Sequence, residues 1–499
     1  MTTLGQGRLN DEQARIYDEM KQEKIKVLQI GEGNFLRGFF DWMIQECKKQ
    51  GLYEGSVAVT QPRPGGKPKI DALASQEGLY TLVIRGLENG QSIQRHDIIS
   101  VFGSVFDPYS EWDSFLGLAE SPDLQVVVSN TTEAGLVYRP ETLVEGQPIL
   151  SFPGKLTALL YRRFVHFGGD PERGLICLPC ELLERNGDEL RSCILRYSDD
   201  YGYPEAFKEW VMQHNRFLNS LVDRIVTGYP EQSQAEAWFS EWGYTDSMLT
   251  TAEPYHLWAI EGEQELEAVL PLQKAGLNVH WVADLKPFQL RKVRILNGAH
   301  TLMTPLGLLH DVEQVREAME HAVLGPLVRN TVELEIIPAL TEIDPNELEA
   351  YAGDVYERFL NPFIRHRLAD IAMNSLSKFK VRLLPSLQYY AEAGNNVPSG
   401  LVAGLAGLLR YYKVKHTVDG YAGLTLSGAS YIVRDDAGLL DSIANVWAEA
   451  EEQSWTLVQT TAVLLGLTSV WGRDLSVDWP ALAAAVSAEI TEMERQANE

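Results

Sequence analysis

Short apolar runs that end in polar or glycine-containing turns recur along the first 290 residues. Runs of about four to eight residues that are rich in valine and isoleucine are typical of buried parallel strands. Amphipathic segments between them carry apolar residues at helical spacing and predict helices. The alternation indicates an α/β arrangement with a parallel sheet. We predict strands at 25–30, 56–60, 124–128, 174–179 and 277–282.

A hairpin and a pair of helices are also predicted in this half. The runs 80–85 and 92–101 flank an Asn89-Gly90 pair, which is a strong signal for a two-residue hairpin turn. Residues 189–197 and 206–225 have apolar positions at helical spacing, so we predict a helix in each.

The strand predicted at 25–30 leads into the turn Gly31-Glu32-Gly33 and then into an amphipathic run. A strand, a glycine turn and a helix in that order are the context of a dinucleotide-binding site. Gly31 would permit the tight turn, and Gly33 would let the backbone approach a pyrophosphate. The third glycine of the usual G-x-G-x-x-G pattern is replaced by Leu36. The flanking elements nevertheless favour a nucleotide site over an ordinary strand-turn-helix.

The ends of the next strands bear on the cofactor. NAD enzymes commonly place an acidic residue at the end of the strand predicted here at 56–60, where it binds the ribose 2′-OH. This chain has Gln61 there, followed by Arg63, which would suit a 2′-phosphate. These residues leave both NAD and NADP open. The strand at 124–128 ends in a polar turn, 129–135, which either lines the nicotinamide ribose or is an ordinary polar loop.

From about residue 288 the apolar spacing becomes helical. Residues 344–347, Asp-Pro-Asn-Glu, have the form of a capped helix start, and the region 399–499 keeps the helical spacing. We therefore predict the α/β fold class, with a Rossmann-type dinucleotide-binding domain with insertions at 1–287. A mostly α-helical C-terminal domain at 288–499 would carry the substrate and catalytic groups.

Lys292, Asn297 and His300 form the most informative polar group, at the start of the second domain. On an α-helix they would point at about 0°, 140° and 80°, which is one broad face. A lysine, an amide and an imidazole make a poor core but a reasonable wall for a polar pocket. They offer a proton carrier, an oxyanion donor and a partner for a substrate hydroxyl. The alternative is a solvated helix surface.

Composition narrows the choice of partners. The chain has 499 residues and a net charge of −26, which argues against nucleic acid and anionic membranes. An anionic substrate would then need a local basic pocket. The four scattered cysteines fit a reducing compartment, and we interpret Cys177 and Cys180 as a buried strand end rather than a redox or metal pair. No apolar run reaches the ~20 residues of a membrane span, and the N-terminus is polar, so we expect a soluble cytoplasmic protein.

Five motifs, in order along nearly the whole chain, resemble those of the mannitol dehydrogenase family, the polyol-specific long-chain dehydrogenases. The ordered set is much more specific than any one motif. The motifs are Gly31-x-Gly33-x-Phe35-x-Arg37, Asn186-Gly187, Val222-Asp223-Arg224-Ile225, Trp258-Ala259-Ile260-Glu261 and Lys292-x4-Asn297-x2-His300.

The resemblance implies direct hydride transfer with NAD and without a metal ion. It implies that Lys292 is the acid/base, that Asn186 and Asn297 form the oxyanion site, and that His300 binds a neighbouring hydroxyl. Within the family, residues 31–43 resemble most the members that reduce the keto sugar acid tagaturonate to altronate with NADH, in hexuronate catabolism. The implied cofactor contacts are Ile30, Gly31, Gly33, Asn34, Phe35, Arg37, Gln61, Thr131 and Glu133.

One departure from the family pattern concerns the substrate. Mannitol-type members carry an arginine about eight residues after an Asn-Pro pair, and the corresponding residue here is Asp370. Lys378 is kept, and Arg382 follows it in a basic run. We predict that Lys378 and Arg382 bind the substrate carboxylate, with Asp223 as a further substrate contact. A solvated basic helix face is the alternative for the two cations.

Other functions fit parts of this pattern. A fructuronate reductase or a polyol dehydrogenase would use the same scaffold. A nucleotide-sensing protein would have no need of a proton carrier such as Lys292, and a purely structural helical protein would not explain the strand-glycine-helix opening. The expected partners are NAD and a small sugar-acid substrate, with no nucleic acid and no membrane. The residues leave the oligomeric state open.

Overall fold

The computed structural model of the protein describes residues 1–394 and 397–496. The chain forms two compact units. The first comprises Met1–Gly86 and Ser92–Leu285, and the second comprises Leu87–Gln91 and the residues from Lys286 onward. Within the described ranges, no helix combines the length and the apolarity that crossing a membrane requires.

A six-stranded parallel sheet forms the centre of the first unit. Its strands are β1 (Ile25–Ile30), β2 (Ser56–Thr60), β3 (Phe102–Val105), β4 (Val126–Ser129), β5 (Ile176–Pro179) and β6 (Arg216–Phe217). They lie in the order β3-β2-β1-β4-β5-β6, and every neighbouring pair is parallel. This is the strand order of doubly wound dinucleotide-binding folds, which confirms the predicted fold class. The order reverses between β1 and β4, and ligands bind such sheets at the carboxyl ends of the strands there.

Both faces of this sheet are buried, because alternate residues of its strands point into two separate cores. Val27 belongs to a core that includes the helix Phe40–Lys49. The next residue, Leu28, belongs to a second core that includes the helices Phe152–His166 and Asn186–Asp200. Burial on both sides is the reason that these strands are nearly continuous apolar runs in the sequence.

The predicted hairpin forms outside the parallel sheet, from Tyr80–Glu88 and Gln91–Ile99. Asn89 and Gly90 have φ angles of 53° and 74°, as a two-residue turn with left-handed central residues requires. The other strands of this unit are Thr2–Thr3, Ser220–Asp223, Val226–Gly228, Tyr244–Thr245, Thr250–Ala252, Leu257–Glu261 and Val279–Val282, and the other α-helices are Asp11–Gln22, Asn34–Arg37, Lys67–Ser75, Trp112–Gly117, Glu205–His214 and Gln232–Trp242.

The prediction of a helix over 206–225 is wrong for the second half of that range. The helix ends at His214, and three short strands follow, of which β6 completes the parallel sheet. Asn215 has an extended backbone, and its side chain accepts the N–H of Leu175 at 2.8 Å, which directs the chain alongside β5. The apolar residues here also fit helical spacing, but pairing with β5 satisfies the backbone groups and buries Phe217.

Two helices, Asn297–Leu309 and Ser399–Tyr411, pack closely in the core of the second unit. A Cβ on Gly404 would collide with the side chain of Leu302, and one on Gly407 would lie 2.5 Å from Leu306. These two glycines therefore allow the close approach of the helices. The other α-helices are Lys286–Arg291, Val315–Glu320, Leu324–Thr331, Pro345–Phe359, Leu368–Ile371, Ser375–Arg382, Leu384–Glu392, Ala437–Glu452, Leu457–Leu465, Thr468–Trp471, Leu475–Asp478 and Ala481–Gln496.

The region 399–499, predicted to be helical, also contains an antiparallel sheet. Its strands are Lys415–Thr417, Gly420–Leu424 and Ser430–Val433. Gly420 and Gly428 lie where the chain reverses and have φ angles of 113° and 91°, which glycine adopts far more readily than other residues. The apolar periodicity did not predict this sheet because its strands are short and most of their residues are half-buried or exposed.

Candidate active site

The glycine turn lies at the carboxyl end of β1, where the strand order of the sheet reverses. The N–H of Gly31 donates to the carbonyl oxygen of Thr60 at 2.8 Å, and the φ angle of Gly31 is 137°. A Cβ on Gly31 would lie 2.8 Å from the carbonyl oxygen of Asn130. Both the backbone angle and the lack of space therefore require glycine. A Cβ on Gly33 would meet no atom within 4 Å, so the backbone of Gly33 faces open space.

Gly31→Ala should lower the melting temperature by about 2–10 °C, because a strained backbone and a collision with Asn130 together cost about 1–3 kcal/mol. Differential scanning calorimetry of the ligand-free protein measures the shift. Gly33→Ala is the matched control: its φ angle of −67° suits alanine and there is space for the methyl group. Equal melting temperatures for both variants would contradict the assignment of strain to Gly31.

Arg37 supports the glycine turn from within the protein. Its buried guanidinium donates to the carbonyl oxygen of Glu32 at 3.1 Å, to the side-chain oxygen of Asn34 at 2.7 Å and to the carbonyl oxygen of Met248. Ile30 is buried in β1, and the ring of Phe35 stacks on a neighbouring phenylalanine. These contacts give Asn34, Phe35 and Arg37 structural roles beside the glycine turn. A direct contact of Arg37 with a cofactor stays a prediction.

Buried polar side chains organise the ends of β2 and β4. Gln61 follows β2, and its Nε2 donates to Oδ1 of Asp107 at 2.6 Å. Thr131 follows β4, and its N–H and Oγ1 donate to the buried carboxyl of Glu181 at 2.9 and 3.0 Å. Burial raises the pKa of Glu181, and the hydrogen bonds that it accepts oppose the rise. Glu133 is exposed in the same loop. Sequence reasoning missed Glu181, although its place soon after β5 was an available signal.

The amide group of Asn186 is fully hydrogen-bonded within the first unit. Its Nδ2 donates to the carbonyl oxygens of Pro179 and Glu181 at 3.0 Å and of Ser220 at 3.1 Å. Its Oδ1 accepts the N–H of Ser220 at 2.9 Å. Asn186 thereby ties the end of β5 to the strand that ends at the buried Asp223. The oxyanion role of Asn186 and the substrate contact of Asp223 stay predictions.

Lys292, Asn297 and His300 lie together in the second unit, but the helix that carries them is not the regular α-helix assumed from the sequence. Residues Lys292–Leu296 form a π-helical turn, in which the N–H of Asn297 donates to the carbonyl oxygen of Lys292. Asn297 therefore lies one wide turn beyond Lys292, on the same side of the helix, rather than at about 140° from it. Such π-helical turns are rare and are frequently found at functional sites.

His300 is 7% exposed, and its Nε2 has no hydrogen-bond partner among the described residues. Its ring lies 4.4 Å from that of Phe359 and 4.8 Å from that of His366, centroid to centroid. Burial lowers the pKa of His300 well below its usual value, and His366 and nearby cationic side chains lower it further. The imidazole is therefore neutral at pH 7, with one nitrogen available to a hydroxyl group.

The basic cluster consists of Arg358, His366, Lys378 and Arg382, which all lower the pKa of His300. Burial also lowers the pKa of His366, so the positive charge of the cluster is carried by its lysine and its two arginines. Nζ of Lys378 donates to a backbone carbonyl at 2.7 Å, and Nη1 of Arg382 donates to a threonine hydroxyl at 3.1 Å. Burial lowers the pKa of both groups, and Arg382 also lowers that of Lys378. The structure thus brings the two predicted carboxylate ligands close to the predicted hydroxyl partner.

Arg358 and His366 were missed in the sequence. Arg358 lies on the buried side of the helix Pro345–Phe359, next to Val355 and Phe359. A charged residue among the core positions of a helix is unusual, and that signal could have found it. His366 carried no comparable signal, because it lies in an irregular segment between helices.

The four cysteines are free thiols, and all are buried. Cys177 lies in β5 and Cys180 follows that strand, and burial raises the pKa of both thiols. In the part of the chain that the structure describes, no group of three or more histidine, cysteine, aspartate or glutamate side chains is arranged to hold a metal ion.

Two family models match consecutive parts of the chain. The mannitol dehydrogenase Rossmann domain matches residues 25–274, and the mannitol dehydrogenase C-terminal domain matches residues 284–494. The chain belongs to the mannitol dehydrogenase family. As a member of this family it is an oxidoreductase of the dehydrogenase/reductase type that acts on a CH–OH group.

Curated members of the mannitol dehydrogenase family include relatives that align with almost the whole chain. The altronate oxidoreductase of Bacillus subtilis (strain 168) is 41% identical over 461 residues, which cover 92% of this chain and 91% of that protein. The altronate oxidoreductase of Pectobacterium carotovorum subsp. carotovorum (strain PC1) is 39% identical over 471 residues, which cover 94% of each.

Solved structures share the fold. D-sorbitol dehydrogenase in its substrate-free form superposes with a TM-score of 0.77 at 20% identity, covering 100% of this chain and 98% of that chain. The ternary complex of Pseudomonas fluorescens mannitol 2-dehydrogenase with NAD and D-mannitol gives a TM-score of 0.60 at 20% identity, covering 96% and 93%. At this identity the likeness concerns the fold alone.

Proposed function

We propose that the protein is an NAD-dependent oxidoreductase that interconverts tagaturonate and altronate, in the cytoplasm. The relatives named altronate oxidoreductase, at 41% and 39% identity over more than nine tenths of this chain, support this substrate pair. The observation that carries the proposal is the basic cluster.

The basic cluster fits an anionic substrate. A chain with a net charge of −26 repels anions over most of its surface, so a carboxylate needs a local concentration of positive charge. Arg358, Lys378 and Arg382 provide it, beside the neutral imidazoles of His300 and His366. A polyol carries no charge and would gain little from three cationic side chains. The cluster therefore favours a sugar acid over a polyol.

The glycine turn fits a dinucleotide. The space beside Gly33 leaves its backbone accessible, and the turn lies where the strand order of the sheet reverses. Gly31, Gly33 and Asn34 would hold the pyrophosphate, and Thr131 would lie beside the nicotinamide ribose. When bound, NADH supplies the hydride that is transferred to the keto carbon of the substrate.

The protein's part in the reduction is to bind the sugar acid and to move one proton. Lys292 gives a proton from its ammonium group to the carbonyl oxygen as that oxygen becomes an alcohol. The lysine is then reprotonated from solvent. Asn297, one π-turn away, donates a hydrogen bond that stabilises the negative charge on this oxygen. His300 binds a neighbouring hydroxyl, and Lys378 and Arg382 bind the carboxylate. Altronate oxidation is the reverse, with Lys292 as the base.

A panel of substrates tests this function. NADH oxidation is followed by absorbance with tagaturonate, fructuronate and fructose in parallel, in buffer containing EDTA because the lysine mechanism needs no metal. We expect turnover of tagaturonate well above that of the other two. A preference for fructose would contradict the sugar-acid assignment, and a preference for fructuronate would change the substrate. Loss of activity on adding EDTA would contradict the metal-free mechanism.

A further inference from the structure

The side chain of Glu32 reaches from the glycine turn to the end of β2. Glu32 is 7% exposed, and its Oε1 would lie 2.8 Å from a Cβ placed on Gly66. The same Cβ would lie 2.5 Å from Cβ of Gln61. The missing side chain at position 66 therefore leaves room for the carboxyl of Glu32 beside Gln61. Gln61 is the position at which NAD enzymes commonly carry an acidic residue.

The carboxyl of Glu32 is nearly buried without a partner side chain. Among the described residues, no hydrogen bond from another residue reaches it, and only its own backbone N–H donates to it. Burial raises the pKa of Glu32, while its own N–H and then the charges of Lys69, Arg37 and Arg63 lower it. Protein groups thus leave the acceptor capacity of this carboxyl largely unused.

The neighbouring acid, Asp107, differs in this respect. Its Oδ1 accepts Nε2 of Gln61 at 2.6 Å and the N–H of Tyr109 at 2.9 Å, and its Oδ2 accepts the hydroxyl of Ser110 at 2.9 Å. Asp107 is therefore occupied in holding the loop after β3 and in orienting Gln61. Of the two carboxyls beside Gln61, that of Glu32 is the one left for a ligand.

Three cations lie near this carboxyl. The guanidinium of Arg37 is buried and donates its hydrogen bonds to protein oxygens, whereas Arg63 and Lys69 are solvent-exposed. Arg63 and Lys69 would favour a 2′-phosphate by charge alone, and Arg63 is the residue for which the sequence left NADP open. Charges of exposed side chains are screened by water and salt, whereas a nearly buried carboxylate acts through a lower dielectric. The charge of Glu32 therefore outweighs the charges of Arg63 and Lys69 at the position that a 2′-phosphate would occupy.

We infer that Glu32 is the residue that selects NAD over NADP. Its carboxylate accepts hydrogen bonds from the 2′- and 3′-hydroxyls of the adenosine ribose, and it repels a phosphate at the 2′ position. The glycine turn thereby supplies the acid that is missing at Gln61. This inference rests on the proposed use of NAD.

Dissociation constants of NADH and NADPH for the full-length wild type and Glu32→Gln, measured by isothermal titration calorimetry, test the inference. We expect wild type to prefer NADH, and the ratio of the two constants to fall by about tenfold or more in Glu32→Gln, since a charged hydrogen-bond acceptor is lost. The double variant Glu32→Gln with Arg63→Ala should bind NADPH more weakly than Glu32→Gln alone. Glu32→Gln should fold normally, because it removes a nearly buried carboxylate that has no partner side chain.

Glu54→Gln is the matched control, because it removes one negative charge from an exposed residue that precedes β2, at the opposite end of the strand. The control should keep the wild-type ratio. If Glu32→Gln also keeps that ratio while wild type prefers NADH, the role of Glu32 is overturned and the proposed use of NAD stands. If wild type binds NADPH as tightly as NADH, or binds neither, the proposed use of NAD fails, and the inference fails with it.

Discussion

Lys292→Ala should lower kcat for tagaturonate reduction by about 10²- to 10⁴-fold, the usual contribution of a positioned acid or base. The substrate oxygen must gain a proton as the keto carbon gains a hydride, and alanine cannot supply one. Binding of NADH should be unchanged, because the variant leaves the glycine turn and the strand ends intact. Initial rates at saturating substrate give kcat, and calorimetric titration gives the affinity for NADH.

Lys286→Ala is the control for this variant. Lys286 belongs to the same unit, is exposed, and lies 3.6 Å from Glu342 in a surface ion pair, which contributes little to stability. Its removal should leave kcat unchanged. A small primary amine added to Lys292→Ala should restore part of the activity if the lost group is a proton carrier. Wild-type kcat in Lys292→Ala would show that another group moves the proton.

The double variant Lys378→Gln and Arg382→Gln should lower kcat/KM for tagaturonate by about 30- to 1000-fold. This corresponds to about 2–4 kcal/mol for the loss of two partly buried cationic partners of a carboxylate. The effect should fall mainly on KM, because the carboxylate is distant from the reacting carbonyl and its charge does not change during the reaction. Full kinetic curves for tagaturonate separate KM from kcat. Turnover of fructose, which lacks a carboxylate, should not decrease.

Lys380→Gln tests whether the basic helix acts only through general charge. Lys380 lies on the same helix, Ser375–Arg382, but it is exposed. Its Nζ lies beside Gly472, 3.2 Å from where a Cβ on that glycine would be. The positive charge that this variant removes lies away from His300, so the variant should keep the wild-type KM. If the double variant also keeps that KM, the basic cluster does not bind the substrate carboxylate.

The candidate site was found from the sequence as a set of residues, but the contacts of those residues were not. Lys292, Asn297 and His300 were predicted on an α-helix, and the π-helical turn places Asn297 differently relative to Lys292. Asn186 was predicted as an oxyanion donor, and in the folded chain its amide hydrogens bind backbone carbonyls. Spacing along one chain cannot indicate such contacts, because they are made with segments that are distant in sequence.

The same distinction applies to the fold. The buried strands, the glycine turn, the Asn89-Gly90 hairpin and the capped helix start at residue 344 could be predicted from the sequence, because periodicity and backbone preference act over a few neighbouring residues. The strands after His214 and the sheet within 415–433 could not, since pairing with another strand competes with local helical spacing.

The sequence by itself determined the class of the fold, the dinucleotide context of the glycine turn and the chemistry available at Lys292, Asn297 and His300. Only the tertiary structure placed Glu32 beside Gln61 and gathered Arg358 and His366 with Lys378 and Arg382. The physical reason is that burial and electrostatic coupling depend on which distant residues are brought together. That proximity is a property of the packed chain, and no local pattern of residues encodes it.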